Sequence, residues 1–149
     1  MQGGYVDDPT IADEEVLLRR DPRWHFHFDK NLGRWRPSSA AFEDHPDGSP
    51  MSVHLISVLE GCGFPVESIL ADHDGYVVAG IVAGFVRANG QGICRKPRDN
   101  YPAHAKVVGP KTERIRKRFA KESSWVINPP VYLSSDPCKD SPAKSSGFQ

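Results

Sequence analysis

The most suggestive spacing of metal-binding residue types lies at positions 25–30, which read HFHFDK. Two histidines and an aspartate occur there at every second position, and all three types commonly bind metal ions. A site of the His-x-His-x-Asp-His kind needs a further ligand at position 30, where the chain has Lys30. Aromatic residues fill the intervening positions, and this alternation is typical of a half-buried strand. We therefore predict a structural strand and no metal site.

Residues 110–124 form the clearest helical pattern in the sequence. With about 100° between successive residues, the apolar positions of this stretch fall on one face of a helix. The opposite face gathers four cations, namely Arg114, Lys117, Arg118 and Lys121. Cations on one side suit the phosphate backbone of a nucleic acid, although a solvated face of an ordinary surface helix has the same pattern. We predict these four residues to contact nucleic acid or another anion.

His104 and Lys106 lie two positions apart in the stretch NYPAHAKVVG. In a strand they would point to the same side, just after a loop that carries Arg95, Lys96 and Arg98. The intrinsic pKa of histidine is near neutrality, so His104 is a candidate general acid or base, with Lys106 as an anion contact. A histidine whose hydrogen bond goes to a backbone carbonyl is the alternative reading of the same residue.

The stretch GRWRPSSAAFED contains a third candidate group. Arginine guanidinium groups and serine hydroxyls commonly hold phosphate, so Arg36 and Ser38 are predicted anion contacts. Ser39 joins His104 as the second candidate catalytic residue. The same residues also describe a polar hairpin edge. The sequence has no P-loop, no Gly-x-Gly-x-x-Gly and no Gly-x-Ser-x-Gly motif, and we expect no cofactor.

The net charge of zero conceals an uneven distribution of charge along the chain. Residues 95–121 contain ten Lys or Arg and two acids, whereas residues 1–74 contain fourteen acids and six Lys or Arg. A chain divided in this way can present a basic surface to an anion while it stays neutral as a whole. The alternative is that the acidic part folds against the basic part and that the two screen each other.

The periodic segments predict a single small α+β domain with a mixed or antiparallel sheet and two or three helices. We place this domain at residues 14–133, between disordered tails at 1–13 and 134–149. Residues 16–20 could form a strand or the end of a helix. Residues 76–78 favour a strand, and the apolar spacing from Ala79 onward favours a helix that stops at Asn89 and Gly90.

The chain also carries signals of its compartment. The three cysteines are odd in number and widely spaced, which favours free thiols over a disulfide framework. No apolar run approaches the roughly 20 residues that span a bilayer, and the acidic N-terminus resembles no secretory signal. We expect a cytoplasmic protein without a membrane partner.

Three stretches, RPSSAAF, DGSPMSV and PAHAKVVG, are followed by a basic helix and a WV ending. Together they resemble a recurrent type of small bacterial protein, over roughly residues 17–128. The resemblance implies a bacterial cytosolic origin and no particular activity.

Three functions are compatible with these patterns. The first is an accessory protein that contacts nucleic acid or another phosphate-bearing ligand through the basic helix. The second is a small enzyme on a phosphorylated or nucleotide substrate, which requires His104, Ser39 and Arg36 to converge in one cleft. The third is an immunity or accessory module that binds a protein encoded in the same operon through its acidic first half.

Overall fold

A computed structural model describes residues 7–22, 25–31, 33–71 and 75–127 of the chain. The strands are β1 (Val16–Pro22), β2 (Phe26–Asp29), β3 (Arg34–Pro37), β4 (Met51–Leu55), β5 (Tyr76–Val82), β6 (Gly92–Arg95), β7 (His104–Val108) and β8 (Ser124–Ile127). The α-helices are α1 (Ile56–Gly61), α2 (Ala83–Ala88) and α3 (Glu113–Glu122), and two 3-10 helices cover Ser39–Phe42 and Val66–Leu70.

Six of the strands form one sheet in the order β6-β7-β4-β1-β5-β8. Every neighbouring pair in this sheet is antiparallel. The remaining strands, β2 and β3, form a separate antiparallel hairpin. The predicted α+β class with an antiparallel sheet and three helices is confirmed, and the undecided segment at residues 16–20 is a strand.

The two faces of the six-stranded sheet bury different residues, because successive side chains of a strand point to opposite sides. On the first face, Val53 of β4 and Ala105 of β7 pack in one apolar cluster with Phe42 and with Phe119 of α3. The second face has a separate cluster around Leu18, Leu59, Ile69, Val78 and Ala103. Helix α3 and the Ser39–Phe42 turn therefore lie on the first face, and the Val66–Leu70 turn lies on the second.

The N-terminal segment 7–15 packs against the domain, although the sequence predicts a disordered tail through residue 13. Ile11 is 2% exposed and belongs to the core of the first face. The Asp8 N–H donates to the carbonyl of Ile93, and the Ile93 N–H donates to the Asp7 carboxylate. Composition alone does not show this packing, because it depends on one buried apolar side chain and on carboxylates that pair with arginines distant in sequence.

Strand β5 continues to Val82, so the predicted helix from Ala79 onward is wrong over its first four residues. Gly80 pairs with Leu18 of β1 on one side and with Ser124 of β8 on the other. A Cβ atom on Gly80 would lie 2.8 Å from Val126 Cγ2 and 3.0 Å from Val16 Cγ1. The small residue therefore allows close packing within the sheet, and the partners on both sides override the local helical spacing.

Helix α3 is shorter than the predicted stretch 110–124. It begins at Glu113, because the Thr112 side chain accepts a hydrogen bond from the Ile115 N–H and caps the helix. At its other end Ser123 is extended, and the chain enters β8 directly. The predicted apolar face is confirmed, since Phe119, Ala120 and Ser123 are all buried.

The strand predicted at residues 25–30 is present as β2, which pairs with β3 in a hairpin that has Gly33 at φ +70° between its strands. Trp24, the side chains of Phe26 and His27, and the predicted tail 134–149 lie outside the described residues. In the described ranges, no helix is long and apolar enough to cross a bilayer.

Candidate functional sites

The outer face of α3 carries the four cations that the sequence places there. Arg114, Lys117, Arg118 and Lys121 are exposed, while Phe119 and Ala120 face the core. With Glu113, the four cations line a shallow surface groove. We refer to Arg114, Lys117, Arg118 and Lys121 as the α3 cation face.

Intramolecular partners neutralise little of the α3 cation face. Lys117 Nζ lies 3.3 Å from Oε2 of Glu113, one helical turn earlier. Arg118 Nη1 donates to the side-chain oxygen of Asn89, which carries no charge. Arg114 and Lys121 form no hydrogen bond or ion pair with any residue that the structure describes. One internal carboxylate therefore opposes four cations.

Four basic residues elsewhere in the second half of the chain are paired with acids from the first half. Arg87 contacts Asp7 and Asp13, Arg95 contacts Asp8, Lys111 contacts Asp44, and Arg116 contacts Glu43. The N-terminal segment supplies three of these five acids. The sequence left open whether the acidic and basic parts screen each other. They do so at these four positions. Lys96, Arg98 and Lys106 have no carboxylate partner among the described residues, and neither have three of the four cations on α3.

The second face of the sheet contains a pocket of about 340 Å³. Strands β4 and β7 position its floor, because His54 and His104 are direct partners in the antiparallel register. Their rings lie edge to face with centroids 6.3 Å apart. The loop after β6 closes one side with Arg98, Asp99 and Tyr101, and the remaining lining residues are Arg20, Ser52, Ser68, Ile69 and Ala71. We call this cavity the histidine pocket.

The hydrogen bond of His104 fixes its tautomer. Its Nδ1 lies 2.9 Å from the carbonyl oxygen of Lys96, and a carbonyl can only accept, so Nδ1 carries the proton. In the neutral ring Nε2 then holds a lone pair. This atom is buried and has no hydrogen-bond partner among the described residues. Burial lowers the pKa of His104 below its ordinary value, and the Lys96 carbonyl opposes that shift only in part.

His54 is held neutral beside it. Its Nδ1 lies 2.6 Å from the hydroxyl of Tyr101. Burial, and then the positive charge of Arg20, lowers the pKa of His54 to about 3. Burial also raises the pKa of Tyr101, so its phenol keeps the proton. Both partners are thus uncharged at neutral pH, and the pocket presents imidazole rather than imidazolium.

Two arginines give the histidine pocket a positive charge. Arg20 is half-buried, and its Nη1 donates to the carbonyl of Ile69 at 2.7 Å. Burial lowers the pKa of Arg20, which shows that its guanidinium is partly removed from water. Arg98 lies on the exposed side of the loop, next to Asp99. Within the described lining, Asp99 is the one carboxylate that opposes these cations.

The structure does not bring the predicted enzyme residues together. His104 lies on the second face, whereas Ser39 begins the turn whose Phe42 packs on Phe119 of the first face. Arg36 forms an ion pair with Asp29 in the separate hairpin, next to Ser38. Because Ser39 and His104 occupy opposite faces of one sheet, a cleft that contains both does not form.

Lys106 lies on the same face of the sheet as His104, as the sequence predicts. Its ammonium group donates to the Ser52 hydroxyl at 3.0 Å and to the carbonyl of Pro50 at 3.3 Å. Ser52 lines the histidine pocket, but Lys106 itself lines a neighbouring groove that includes Arg95 and Lys96. Lys106 is therefore a neighbour of the histidine pocket and not part of it.

Sequence reasoning singled out His104 and missed His54, Tyr101 and Arg20. His54 alternates with Val53 and Leu55 in β4 in the same way as His104 and Lys106 alternate with Ala105 and Val107 in β7. This shared alternation was a signal that the polar sides of the two strands could lie next to each other. The register that aligns His54 with His104 joins strands 50 residues apart, so neither segment read alone shows it.

No family model, curated protein or solved structure matches the chain. The resemblance to a type of small bacterial protein therefore finds no support in these comparisons, and the functional argument rests on the two sites. Among the described residues, no group of three or more His, Cys, Asp or Glu side chains is arranged to hold a metal ion.

Proposed function

We propose that the protein binds nucleic acid through the α3 cation face. The observation that carries this proposal is that four exposed cations lie together on one helix with a single carboxylate partner among the described residues. The cations of the second half at positions 87, 95, 111 and 116 have carboxylate partners, whereas of the four on the α3 cation face only Lys117 has one among the described residues. Unpaired, exposed cations on one rigid helix suit a phosphate backbone.

The physical basis of such binding is counterion release. Each phosphate that a Lys or Arg neutralises frees condensed cations from the nucleic acid, so affinity falls steeply as salt rises. Four contacts without base readout predict weak binding with little sequence preference. The helix holds the four side chains on one surface, which limits the contact to a short stretch of backbone.

The alternatives have less support. The enzyme hypothesis requires His104 to meet Ser39 and Arg36, which lie on the first face and in the hairpin. The protein-module hypothesis requires free acids in the first half of the chain. Five of those acids pair with the chain's own basic residues, so less negative charge is left for a basic partner.

Fluorescence anisotropy with a labelled DNA duplex at several salt concentrations tests the proposal. We expect binding at low salt, and we expect the double variant Arg114→Gln/Lys121→Gln to weaken it. The slope of log affinity against log salt should fall by about 2 in magnitude, since each lost phosphate contact removes roughly 0.9.

The matched control is the double variant Lys96→Gln/Arg98→Gln, which removes two exposed cations from the loop after β6. It changes the net charge by the same amount but leaves α3 intact, so the salt slope should stay close to that of the unmodified protein. Absence of binding at low salt, or an equal loss in both double variants, would contradict the proposal.

A further inference from the structure

We infer that the histidine pocket is a second binding site, for a small phosphate ester that also carries a hydroxyl group. The pocket and the α3 cation face lie on opposite faces of the same sheet. The inference therefore stands independently of nucleic-acid binding.

The phosphate end of the ligand is assigned by the arginines. Arg20 and Arg98 both line the pocket, and guanidinium groups recognise phosphate oxygens with paired N–H donors. The Ser52 hydroxyl lies in the same lining and can donate to a further oxygen. A partly desolvated guanidinium interacts more strongly with an anion than one in water does, and Arg20 is of this kind.

The hydroxyl end is assigned by His104. Its Nε2 is an acceptor that is buried and without a partner among the described residues, and an unpaired buried acceptor is unfavourable. A donor is needed there, because the Lys96 carbonyl already takes the Nδ1 proton. A phosphate oxygen without a proton cannot fill this role, but a hydroxyl can. The groups around Nε2 must shift to admit it, since this atom has almost no accessible surface.

The charges around the pocket agree with one phosphate group. Among the described lining residues, Arg20 and Arg98 supply two positive charges and Asp99 supplies one negative charge. Burial lowers the pKa of both histidines, so they are neutral at pH 7. Lys106 lies outside the lining, where its ammonium group donates to the Ser52 hydroxyl. The volume of about 340 Å³ accommodates a molecule of the size of a sugar phosphate.

Isothermal titration calorimetry with ribose 5-phosphate tests the inference, with ribose and sulfate as partial probes. Ribose 5-phosphate should bind with one-to-one stoichiometry, sulfate more weakly, and ribose least of the three. In spectra of the histidine ring nitrogens, ribose 5-phosphate should shift the Nε2 signal of His104, whereas sulfate, which has no proton to donate at neutral pH, should leave it in place.

The variant Arg98→Gln should lower the affinity for ribose 5-phosphate roughly ten-fold or more, as expected for loss of a charged hydrogen bond. Arg98 is exposed, so the fold should persist, which circular dichroism checks. The matched control Arg114→Gln removes an arginine from the α3 cation face and should leave this affinity within about two-fold.

Three results would overturn the inference. They are no binding of ribose 5-phosphate up to about 10 mM, equal weakening by Arg98→Gln and Arg114→Gln, and an unmoved Nε2 signal of His104 on saturation. None of them bears on nucleic-acid binding, which depends on Arg114 and Lys121.

Discussion

The α3 cation face and the histidine pocket both contain basic side chains, but these side chains are exposed to water on α3, whereas most of those in the pocket are partly or fully buried. On α3 the charged groups are surrounded by water, so each one contributes little to the binding free energy and binding depends on their sum. In the pocket, Arg20, His54 and His104 are partly or fully removed from water, and burial shifts the pKa of all three. Removal of one pocket group should therefore have a large and specific effect, whereas removal of one α3 cation should have a small and additive one.

The same contrast applies to salt. Interactions between exposed charges are screened over about 8 Å at physiological ionic strength, but buried contacts are screened much less. Binding at α3 should therefore respond to salt far more strongly than binding in the pocket. The two sites can be separated in one protein sample by this response alone.

The largest expected effect comes from the support beneath α3. Phe119 is fully buried, and its ring lies edge to face with Phe42 at 6.0 Å and with Phe85 at 6.2 Å between centroids. The variant Phe119→Ala should lower the free energy of unfolding by about 3–5 kcal/mol, because it removes buried surface and leaves a cavity. Urea denaturation measures this change.

The control for Phe119→Ala is Val82→Ala, at a side chain that is 41% exposed. Its effect should stay within about 1 kcal/mol. A loss below about 1 kcal/mol in Phe119→Ala itself would mean that α3 does not depend on this contact and that the cation face has another support.

The next largest effect is the pH dependence of stability, which arises from His54 in the pocket. The pKa of His54 is about 3 in the folded protein, well below its ordinary value of 6.5. Between these values the unfolded chain binds a proton that the folded chain does not, so stability falls as pH decreases. From about pH 7 to about pH 5 the loss from His54 should be about 2 kcal/mol.

Urea denaturation at both pH values measures this loss, and the variant His54→Gln should reduce it. The neighbouring variant Ser52→Ala lines the same pocket without a titrating group, so its pH dependence should equal that of the unmodified protein. If His54→Gln keeps the full pH dependence, His54 is not the group responsible.

The smallest expected effect is local to the start of α3. Thr112 Oγ1 accepts a hydrogen bond from the Ile115 N–H at 3.2 Å. Thr112→Ala should lower the free energy of unfolding by about 1 kcal/mol, the usual contribution of such a cap. Thr112→Ser keeps the hydroxyl and should restore most of the stability, and equal losses in both variants would show that the cap is not the cause.

Local patterns predicted α3 well. The positions of Phe119 and Lys121 on opposite sides follow from the helical period alone, and no distant contact is needed to assign them. The hairpin at residues 25–37 follows in the same way from alternation and from Gly33. The ends of α3 were less certain, because the cap at Thr112 and the entry into β8 depend on details of one or two residues.

Nonlocal contacts account for what was missed. The alignment of His54 with His104 joins strands 50 residues apart, and Arg20 reaches the pocket from a third strand. The extension of β5 past Ala79 depends on pairing with β1 and β8 on both sides. Segments read one at a time do not show these partners, so the pocket could not be assembled from its sequence.

The pairing of residues 7 and 8 with β6 has a consequence for biosynthesis. Ile93, to which Asp7 and Asp8 bond, follows 86 residues after Asp7, so the two acids are made before the strand edge that they cover. The cover is therefore present as soon as β6 emerges from the ribosome, and it shields an edge strand that would otherwise be a template for aggregation between nascent chains. Deletion of residues 7–15 should expose that edge during synthesis and increase aggregation.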